Sequence, residues 1–220
     1  VPLFTPQESL SQFKLAPGFR IELVAHEPMV KDPVFMDWDD QGRMWVGELR
    51  TYMMDLDGTG EDRRMSRVMV LEDTDQDGVM DKATPFLEDM LNVRSLAFVS
   101  GGVLVVETGG LWFCRDKDGD LRCDERKKLF DFATSAKDNI EHAENALHYA
   151  LDNWMYNSKS SRKLAWRKGK LIEMPAKARG QWGMGSDAYG RLFFNHNGQW
   201  FETDWAMYDR QWPSKGDSVK

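Results

Sequence analysis

The sequence predicts an all-β fold, a β-propeller of four-stranded blades, and three observations lead to this prediction. A unit of one strand, a turn rich in Asp, Asn or Gly, and an aromatic-rich strand occurs four times. Equivalent positions fall at Trp45, Leu104, Trp154 and Leu192, in steps of 59, 50 and 38 residues, a spacing typical of propeller blades. Aromatic residues make up 12% of the chain, and such large flat side chains fill the layer between packed sheets.

Each unit leaves room for two further strands, which would complete a four-stranded blade. We predict blades near residues 34–90, 91–132, 145–175 and 181–205, so that residues 19–220 form a partial or reduced ring of about four blades. The turns Asp-Gln-Gly and Asp-Ala-Tyr-Gly suit hairpins because glycine adopts positive φ at low cost. A β-sandwich is the alternative, but its strands do not usually return as the same turn-plus-aromatic unit.

The N-terminal residues form a separate arm in this prediction, residues 1–18. Thr5 and Glu8 have the spacing of a capping box, which indicates a short helix. The segment Phe19–Val24 alternates in polarity and is predicted to be a strand that completes the last blade. No signal peptide precedes Val1, so we expect a mature chain or one whose leader has been removed.

Composition restricts the partners. With 220 residues, of which 41% are hydrophobic, the chain can form one domain with a sizeable core. A formal net charge of −7 argues against a nucleic-acid partner. No apolar run reaches the roughly 18 residues that span a bilayer, so we expect membrane contact only through a partner.

Two acidic segments have spacings that indicate calcium. In the first, carboxylates stand at positions 1, 3, 5 and 9, Gly78 stands at position 6, and the Val79 carbonyl follows at position 7. The second repeats the carboxylates but has Leu121 in place of the glycine. The predicted ligands are Asp73, Asp75, Asp77, Val79 and Asp81 in the first segment, and Asp116, Asp118, Asp120 and Asp124 in the second. Solvated Asp/Gly hairpin turns are the alternative; a calcium ion held here would be structural.

The two cysteines, Cys114 and Cys123, bracket the second acidic segment. They lack zinc-site spacing, and a loop that turns back on itself would bring them within reach of a disulfide. Two reduced structural thiols are the alternative.

Several segments resemble a family of secreted β-propellers labelled membrane-bound dehydrogenase domain or haem-binding C-x-x-C-H proteins. That family is similar to the sorbosone and glucose dehydrogenase-like quinoprotein propellers. The likeness runs from about Leu10 to Asn197, nearly the whole chain. It rests on residues 15–28 (LAPGFRIELVAHEP), 32–39, 42–50, 71–78, 151–157 and 187–195.

The resemblance implies a periplasmic or extracellular protein and a pyrroloquinoline quinone (PQQ) site at the centre of the ring. His142 lies five residues before Leu147, as the general base does in the quinoprotein propellers, and a neutral imidazole suits that role. A loop histidine with a structural hydrogen bond is the alternative. We expect Arg179, Arg191 and Asn195 to face the channel, since arginine pairs well with the carboxylates of the quinone. The C-x-x-C-H motif is absent, so no covalent haem is expected, and about four blades indicate a fragment or a reduced relative of a six-bladed ring.

These observations leave more than one function open. The first hypothesis is a non-catalytic binding or scaffolding subunit, for example of a membrane redox or photosynthetic complex. The second is a quinoprotein sugar or alcohol dehydrogenase module that passes electrons to a haem partner. A carbohydrate-binding or lyase-like propeller is a third. Unpaired sheet edges favour association with a protein partner, and the aromatic segment 202–212 is the predicted contact.

Overall fold

A computed structural model describes residues 4–132, 140–198 and 201–205. Within these ranges the chain is almost entirely β, which confirms the predicted fold class. None of the described helices has the length and apolar character needed to cross a bilayer. The last residues of the predicted propeller domain, 206–220, and most of the predicted contact segment 202–212 lie outside the described residues.

The strands fall in chain order into four antiparallel sheets. A short helix, α1 (Pro6–Ser11), precedes them, and its first turn is closed by the capping box of Thr5 and Glu8. A 3₁₀ turn spans Ile140–His142. The strands are β1 (Pro33–Trp38), β2 (Met44–Glu48), β3 (Ser66–Glu72), β4 (Lys82–Met90), β5 (Ser95–Val99), β6 (Gly102–Glu107), β7 (Gly110–Arg115), β8 (Glu125–Phe130), β9 (Asn145–Tyr149), β10 (Met155–Ser158), β11 (Arg162–Arg167), β12 (Lys170–Pro175), β13 (Gly185–Ser186), β14 (Arg191–Phe194) and β15 (Glu202–Trp205).

Each sheet is one propeller blade, because its strands pair only with their neighbours in the chain. Blade 1 contains β1–β4, blade 2 contains β5–β8, blade 3 contains β9–β12, and the described part of blade 4 contains β13–β15. The ring formed by the described residues is not closed. Within a blade the first strand lies innermost, so the first strands of the blades line a common channel.

The inner hairpins of blades 1 and 4 are built in the same way. In blade 1, Asp39 accepts hydrogen bonds from the backbone N–H and the Nε of Arg43 (3.0 and 2.7 Å). In blade 4, Asp187 does the same for Arg191 (3.0 and 2.6 Å). The repeated sequence Asp-x-x-Gly-Arg therefore encodes one turn, in which the glycine takes the positive φ that closes it.

Apolar side chains of neighbouring blades form the core between them. Trp45 of blade 1 packs edge-on against Phe86 of the same blade, with ring centroids 4.6 Å apart, and against Phe98 of blade 2, with ring centroids 5.3 Å apart. Phe113 of blade 2 stacks on Trp166 of blade 3 at 4.9 Å. The aromatic positions recognised in the sequence are therefore largely contacts between blades, as stacked sheets require.

The N-terminal segment covers the outer face of blade 1. The predicted strand Phe19–Val24 is not part of a sheet; Val24 instead packs on that face, and its carbonyl accepts a hydrogen bond from Met80 N (2.8 Å). The corresponding bond in blade 2 joins Cys123 N to the carbonyl of Phe86 in the outer strand of blade 1 (2.9 Å). Val24 thus stands in the place that the outer strand of a preceding blade would occupy.

Candidate functional site

One end of the channel gathers polar residues that precede the inner strands. The turn before β5 supplies Arg94, the turn before β9 supplies His142, and the segment before β13 supplies Gln181 and Trp182. Because the inner strands of neighbouring blades run in the same direction along the channel axis, their first residues meet at the same end of the channel.

The long β2–β3 connection of blade 1 reaches the same end. Thr51 donates a hydrogen bond to Asn92 Oδ1 (3.1 Å), and Asn92 Nδ2 donates to the carbonyl of Glu61 (3.0 Å). Asn92 is completely buried, so these bonds fix the loop over the turn that carries Arg94. The loop thereby brings Tyr52 close to Arg94.

Arg94 is the least satisfied polar side chain at this end of the channel. It is 3% exposed, and only its Nε has a hydrogen-bond partner, Thr108 Oγ1 at 3.3 Å. Its Nη1 and Nη2 have no partner among the described residues. The guanidinium carbon lies 5.1 Å from the centroid of the Trp182 ring. A buried guanidinium with two unused nitrogens is costly unless a ligand pairs with them.

The pKa values at this end reflect burial. Burial lowers the pKa of Arg94 to about 10, against the opposing effects of Tyr52 and Glu144. Burial also raises the pKa of Tyr52, with Glu141 and Glu61 adding to the increase. Arg94 therefore remains a cation and Tyr52 a neutral phenol at neutral pH.

A hydrogen-bonded chain connects the blade 3 and blade 4 sides. Asn145 is buried, donates to the carbonyl of Gln181 (2.8 Å) and accepts from the N–H of Gly183 (3.0 Å). The side-chain nitrogen of Gln181 lies 3.5 Å from Nε2 of His142. His142 therefore lies beside the blade 4 side of the channel end, with Gln181 between it and Asn145.

A pocket of about 320 Å³ lies at this end of the channel, and it is here named the channel-end pocket. All four blades contribute to its wall. The lining residues are Val34–Asp37, Arg94–Leu96, Asn145–His148 and Trp182–Met184. His148 lies deeper than His142, and its Nε2 is buried with no hydrogen-bond partner among the described residues. Burial lowers the pKa of His148, and the nearby Asp37 opposes that effect.

None of the three residues predicted to hold a cofactor lines this pocket. Arg179 is 1% exposed and pairs with Asp204 (3.0 Å), and its guanidinium lies over the Tyr156 ring. Arg191 pairs with Asp187 in the blade 4 hairpin, at the opposite end of the strand from the channel end. The structure thus places both arginines in ion pairs, Arg179 in a buried one and Arg191 in an exposed one, in contrast to the predicted position facing the channel.

Asn195, the third predicted cofactor residue, contributes its backbone. Its carbonyl accepts a hydrogen bond from Gln181 N (2.9 Å), while its side chain is exposed. It therefore supports a channel-end residue through its main chain. Of the predicted residues, His142 alone has a side chain at this end.

The residues that form the channel-end pocket are mostly absent from the sequence prediction. Arg94, Asn145 and Trp182 stand directly before or at the start of an inner strand. This position in the sequence could have identified them, since residues that precede an inner strand must lie at the channel end. Their convergence depends on contacts across blades, which no local pattern encodes.

The two acidic segments form a second set of candidate ligands, and they have the same conformation. Both join the third and fourth strands of a blade, β3–β4 and β7–β8. Asp73 accepts from Gly78 N (2.9 Å), and the equivalent Asp116 accepts from Leu121 N (2.9 Å). Leu121 has φ of 65°, close to the 93° of Gly78. The second loop therefore reaches the same shape without the glycine that its sequence lacks.

Three carboxylates converge in each loop, with ligand oxygens within 4.8 Å of one another. They are Asp73, Asp75 and Asp81 in the first loop and Asp116, Asp118 and Asp120 in the second. The other predicted carboxylates are turned to backbone groups: Asp77 accepts from Val79 N (2.8 Å) and Asp124 from Lys117 N (2.7 Å). Each cluster has the hard oxygen donors that bind divalent cations.

The cysteines that bracket the second loop are both free thiols. Cys114 is fully buried between blades 1 and 2, and Cys123 packs against the same core cluster. Cys123 donates in turn to the carbonyl of Glu125 (3.2 Å).

Comparison with known proteins identifies the family and the fold. Residues 5–218 match a family described as a domain of unknown function, DUF7133. No curated protein matches the sequence. The holo PQQ domain of pyranose dehydrogenase from Coprinopsis cinerea superposes with a TM-score of 0.54 at 12% identity, over 82% of this chain and 46% of that chain. A gluconolactonase from Xanthomonas campestris superposes with a TM-score of 0.52 at 13% identity, over 80% and 58%.

The chain thus spans about half the length of these two propellers, and at such identities the likeness concerns the fold. The chain shares the propeller fold with these two proteins, and the family match covers almost every residue. The chain is a β-propeller that belongs to the DUF7133 family.

Proposed function

We propose that the channel-end pocket binds a small ligand that carries carboxylates, of the PQQ type, and that the chain serves as the ligand-binding subunit of a larger extracytoplasmic redox assembly. The observation that carries this proposal is Arg94, whose Nη1 and Nη2 are buried without partners among the described residues, beside Trp182. A carboxylate satisfies two guanidinium nitrogens at once, with charge-assisted bonds.

The residues of the pocket fit a planar, acidic quinone. Arg94 would hold a carboxylate, Trp182 offers an aromatic face for stacking, and Asn145 lies in the same wall. When bound, such a quinone supplies two-electron acceptor chemistry. The protein's part is to place the ring between blades and to keep the buried guanidinium away from water.

In the alternative dehydrogenase role, His142 is the residue we assign to proton transfer. Its side chain is exposed beside the channel-end pocket without lining it, and lies 3.5 Å from the side chain of Gln181. A neutral imidazole can accept a proton from a substrate hydroxyl, as the resemblance to quinoprotein propellers implies. Gln181 acts as a positioning residue, because it is held through its own backbone by Asn145 and Asn195.

We further propose that the isolated chain has little or no dehydrogenase activity. The described blades do not close a ring by themselves, and such catalysis depends on dry, preorganised surroundings that a closed ring provides. A protein partner would complete the assembly and supply a haem that accepts the electrons, since no covalent haem motif is present. In this role the chain is a binding and scaffolding subunit.

The acidic loops support a proposal of bound calcium, and the family resemblance supports a proposal for where the protein is located. We propose that calcium binds the first loop, and the second less tightly, as a structural brace between strands. Extracellular calcium modules bind their ion in the range of about 10⁻⁴–10⁻³ M, which suits a periplasmic or extracellular protein.

A binding titration tests the proposal. PQQ is added to the full chain with and without calcium, and binding is followed by calorimetry and by quenching of tryptophan fluorescence. We expect saturable binding that Arg94→Gln weakens about tenfold or more, the loss of one charged hydrogen-bond pair. Arg20→Gln, at an exposed arginine outside the pocket lining and both acidic loops, is the matched control. Equal binding by wild type and Arg94→Gln, or none by wild type, contradicts the proposal.

Dye-linked oxidation of a panel of sugars tests the catalytic part. Turnover by the isolated chain that requires both the quinone and His142, with His142→Ala as the comparison, would restore the dehydrogenase hypothesis. Binding without turnover supports the subunit role.

A further inference from the structure

The two acidic loops differ at one pair of positions, and that difference carries an inference of its own. Each residue of the second loop corresponds to the residue 43 positions earlier in the first loop. The strand pairings fix this correspondence: Leu71 pairs with Met44 between β2 and β3, and Cys114 pairs with Val103 at the equivalent place between β6 and β7. The residues that bracket the first loop are therefore Leu71 and Met80, and those that bracket the second are the two cysteines.

In the first loop the bracketing pair is an apolar contact. Leu71 and Met80 are both buried and belong to the same core cluster on the outer face of blade 1. Their packing holds the two ends of the loop together. The second loop has the same backbone conformation but has two cysteines at these positions, and both belong to the core cluster between blades 1 and 2.

The backbone around the thiols is fixed independently of them. Asp124 N donates to the carbonyl of Arg115 (2.9 Å), which closes the base of the loop, and Cys123 N donates to the carbonyl of Phe86 in blade 1 (2.9 Å). With the base of the loop already closed, a disulfide needs only that the two side chains approach to the sulfur–sulfur separation of about 2.05 Å.

We propose that Cys114 and Cys123 are a redox-active pair that closes into a disulfide and clamps the base of the second acidic loop, beside the outer strand of blade 1. Cys123 is partly exposed and Cys114 is fully buried. Cys123 is therefore the residue that meets an oxidant, and Cys114 is the resolving residue.

The oxidant in this proposal is a small-molecule disulfide such as oxidised glutathione. The Cys123 thiolate attacks one sulfur of that disulfide, which breaks its S–S bond and releases one glutathione thiol. The Cys114 thiol then loses its proton and attacks the Cys123 sulfur, and the second glutathione leaves as a thiol. Two protein thiols are oxidised to one disulfide, and one glutathione disulfide is reduced to two thiols.

The clamp affects the contact between blades 1 and 2. A cleft of about 600 Å³ lies between these blades, and Cys114, Asp116 and Leu121 line it together with Trp45 and Phe86. A disulfide would fix the side of the cleft that contains Asp116, whereas in the reduced protein hydrogen bonds alone hold this side in place.

The full chain is equilibrated in glutathione buffers of increasing oxidised fraction, then alkylated and digested. We expect an internal cross-link between the peptides that contain Cys114 and Cys123, and a thermal midpoint about 5 °C or more above that of the reduced protein, as closing a loop of about ten residues implies. A dithiol reductant should reverse both changes.

A variant that copies the first loop is the control. Cys114→Leu combined with Cys123→Met reproduces the Leu71–Met80 pair, and we expect it to fold with a thermal midpoint that does not depend on the redox buffer. Cys123→Ser should leave Cys114 unreactive, because that thiol is fully buried. If both wild-type thiols remain open to alkylation under oxidising conditions, or if glutathione stays on Cys123 with no internal cross-link, the proposal is wrong.

Discussion

Arg94 of blade 2 lies under the indole ring of Trp182 of blade 4, with the guanidinium carbon 5.1 Å from the ring centroid. These two blades are separated by blade 3, so a contact between them exists only because both residues project toward the axis. The contact orients the guanidinium but leaves Nη1 and Nη2 without hydrogen bonds among the described residues. A cation–π contact of this kind does not replace those bonds.

The first prediction separates function from stability at Arg94. Replacement by Met removes a buried charge that is poorly paired, so we expect the free energy of unfolding to stay equal or to rise by about 1 kcal/mol. Binding of PQQ should be lost in the same variant. Urea denaturation and the binding titration, run beside Arg20→Met at an exposed arginine, check both parts. A loss of more than about 2 kcal/mol would instead identify Arg94 as a structural residue.

The second prediction concerns calcium in the acidic loops. Calcium should raise the thermal midpoint of the wild type, and a chelator should lower it, because an ion bound only by the folded state stabilises it by about 2.7 kcal/mol at a hundred times Kd. Asp75→Asn should remove most of this effect, since Asp75 is one of the three converging carboxylates. Asp57→Asn lies in an exposed loop outside both clusters and is the control. A midpoint that calcium leaves unchanged in the wild type contradicts the calcium assignment.

The third prediction concerns Glu107, which joins blades 1 and 2. This carboxylate is 4% exposed and accepts hydrogen bonds from Leu91 N (2.7 Å), Trp112 Nε1 (2.8 Å) and Arg64 Nη2 (2.9 Å). Glu107→Gln removes the charge that balances Arg64, and we expect a loss of about 3 kcal/mol in the free energy of unfolding. Glu88→Gln, at a half-exposed ion pair, should change it by less than about 0.5 kcal/mol. Equal effects of the two substitutions would contradict this account.

The fourth prediction concerns the N-terminal segment. Removing residues 1–25 would expose Val30, Met44 and Val46 on the outer face of blade 1, which are now packed against Val24 and Ala25. We expect increased binding of a hydrophobic dye and a tendency to aggregate, since large apolar patches promote association. Removing only residues 1–12 keeps Val24 in place and should leave the thermal midpoint nearly unchanged. Similar behaviour of the two truncated chains would show that Val24 does not protect this face.

The blade pattern could be predicted from the sequence because each blade is a local unit. The hairpin containing Asp39 and Arg43 closes within five residues, and its copy at Asp187 and Arg191 has the same spacing. Strands in such units pair with their sequence neighbours, so alternation and turn residues suffice to place them. The fold class followed from the repetition of that unit.

The channel-end pocket could not be predicted in the same way. Arg179 and Arg191 looked suitable because arginine binds carboxylates, but each already has an acidic partner. Arg191 pairs with Asp187 in its own turn, whereas Arg179 pairs with Asp204, 25 residues away, which no local pattern identifies. Arg94 lacks such a partner among the described residues, and this is visible only when the blades are assembled. A residue's freedom to bind a ligand depends on what its neighbours already satisfy, which is a property of the tertiary structure.

The last prediction concerns pH and His148, whose Nε2 is buried in the wall of the channel-end pocket. Burial lowers the pKa of His148 in the folded protein below its ordinary value of 6.5, although Asp37 opposes the shift. Above pH 6.5 the imidazole is neutral in both the folded and the unfolded state, so it adds no pH dependence. Below that value the unfolded chain takes up a proton that the folded protein binds less readily, and stability falls as the pH decreases.

His148→Asn removes this titration. We expect the free energy of unfolding of the wild type to decrease more steeply than that of the variant between about pH 7.5 and pH 5.5, with both measured by urea denaturation at constant ionic strength. His26→Asn, an exposed histidine outside the channel, should follow the wild-type slope. Parallel slopes for the wild type and His148→Asn would mean that His148 is protonated as readily in the folded protein as in the unfolded chain. Such a result would require water or an acidic group to reach the buried Nε2, because an isolated charge is otherwise unfavourable in that position.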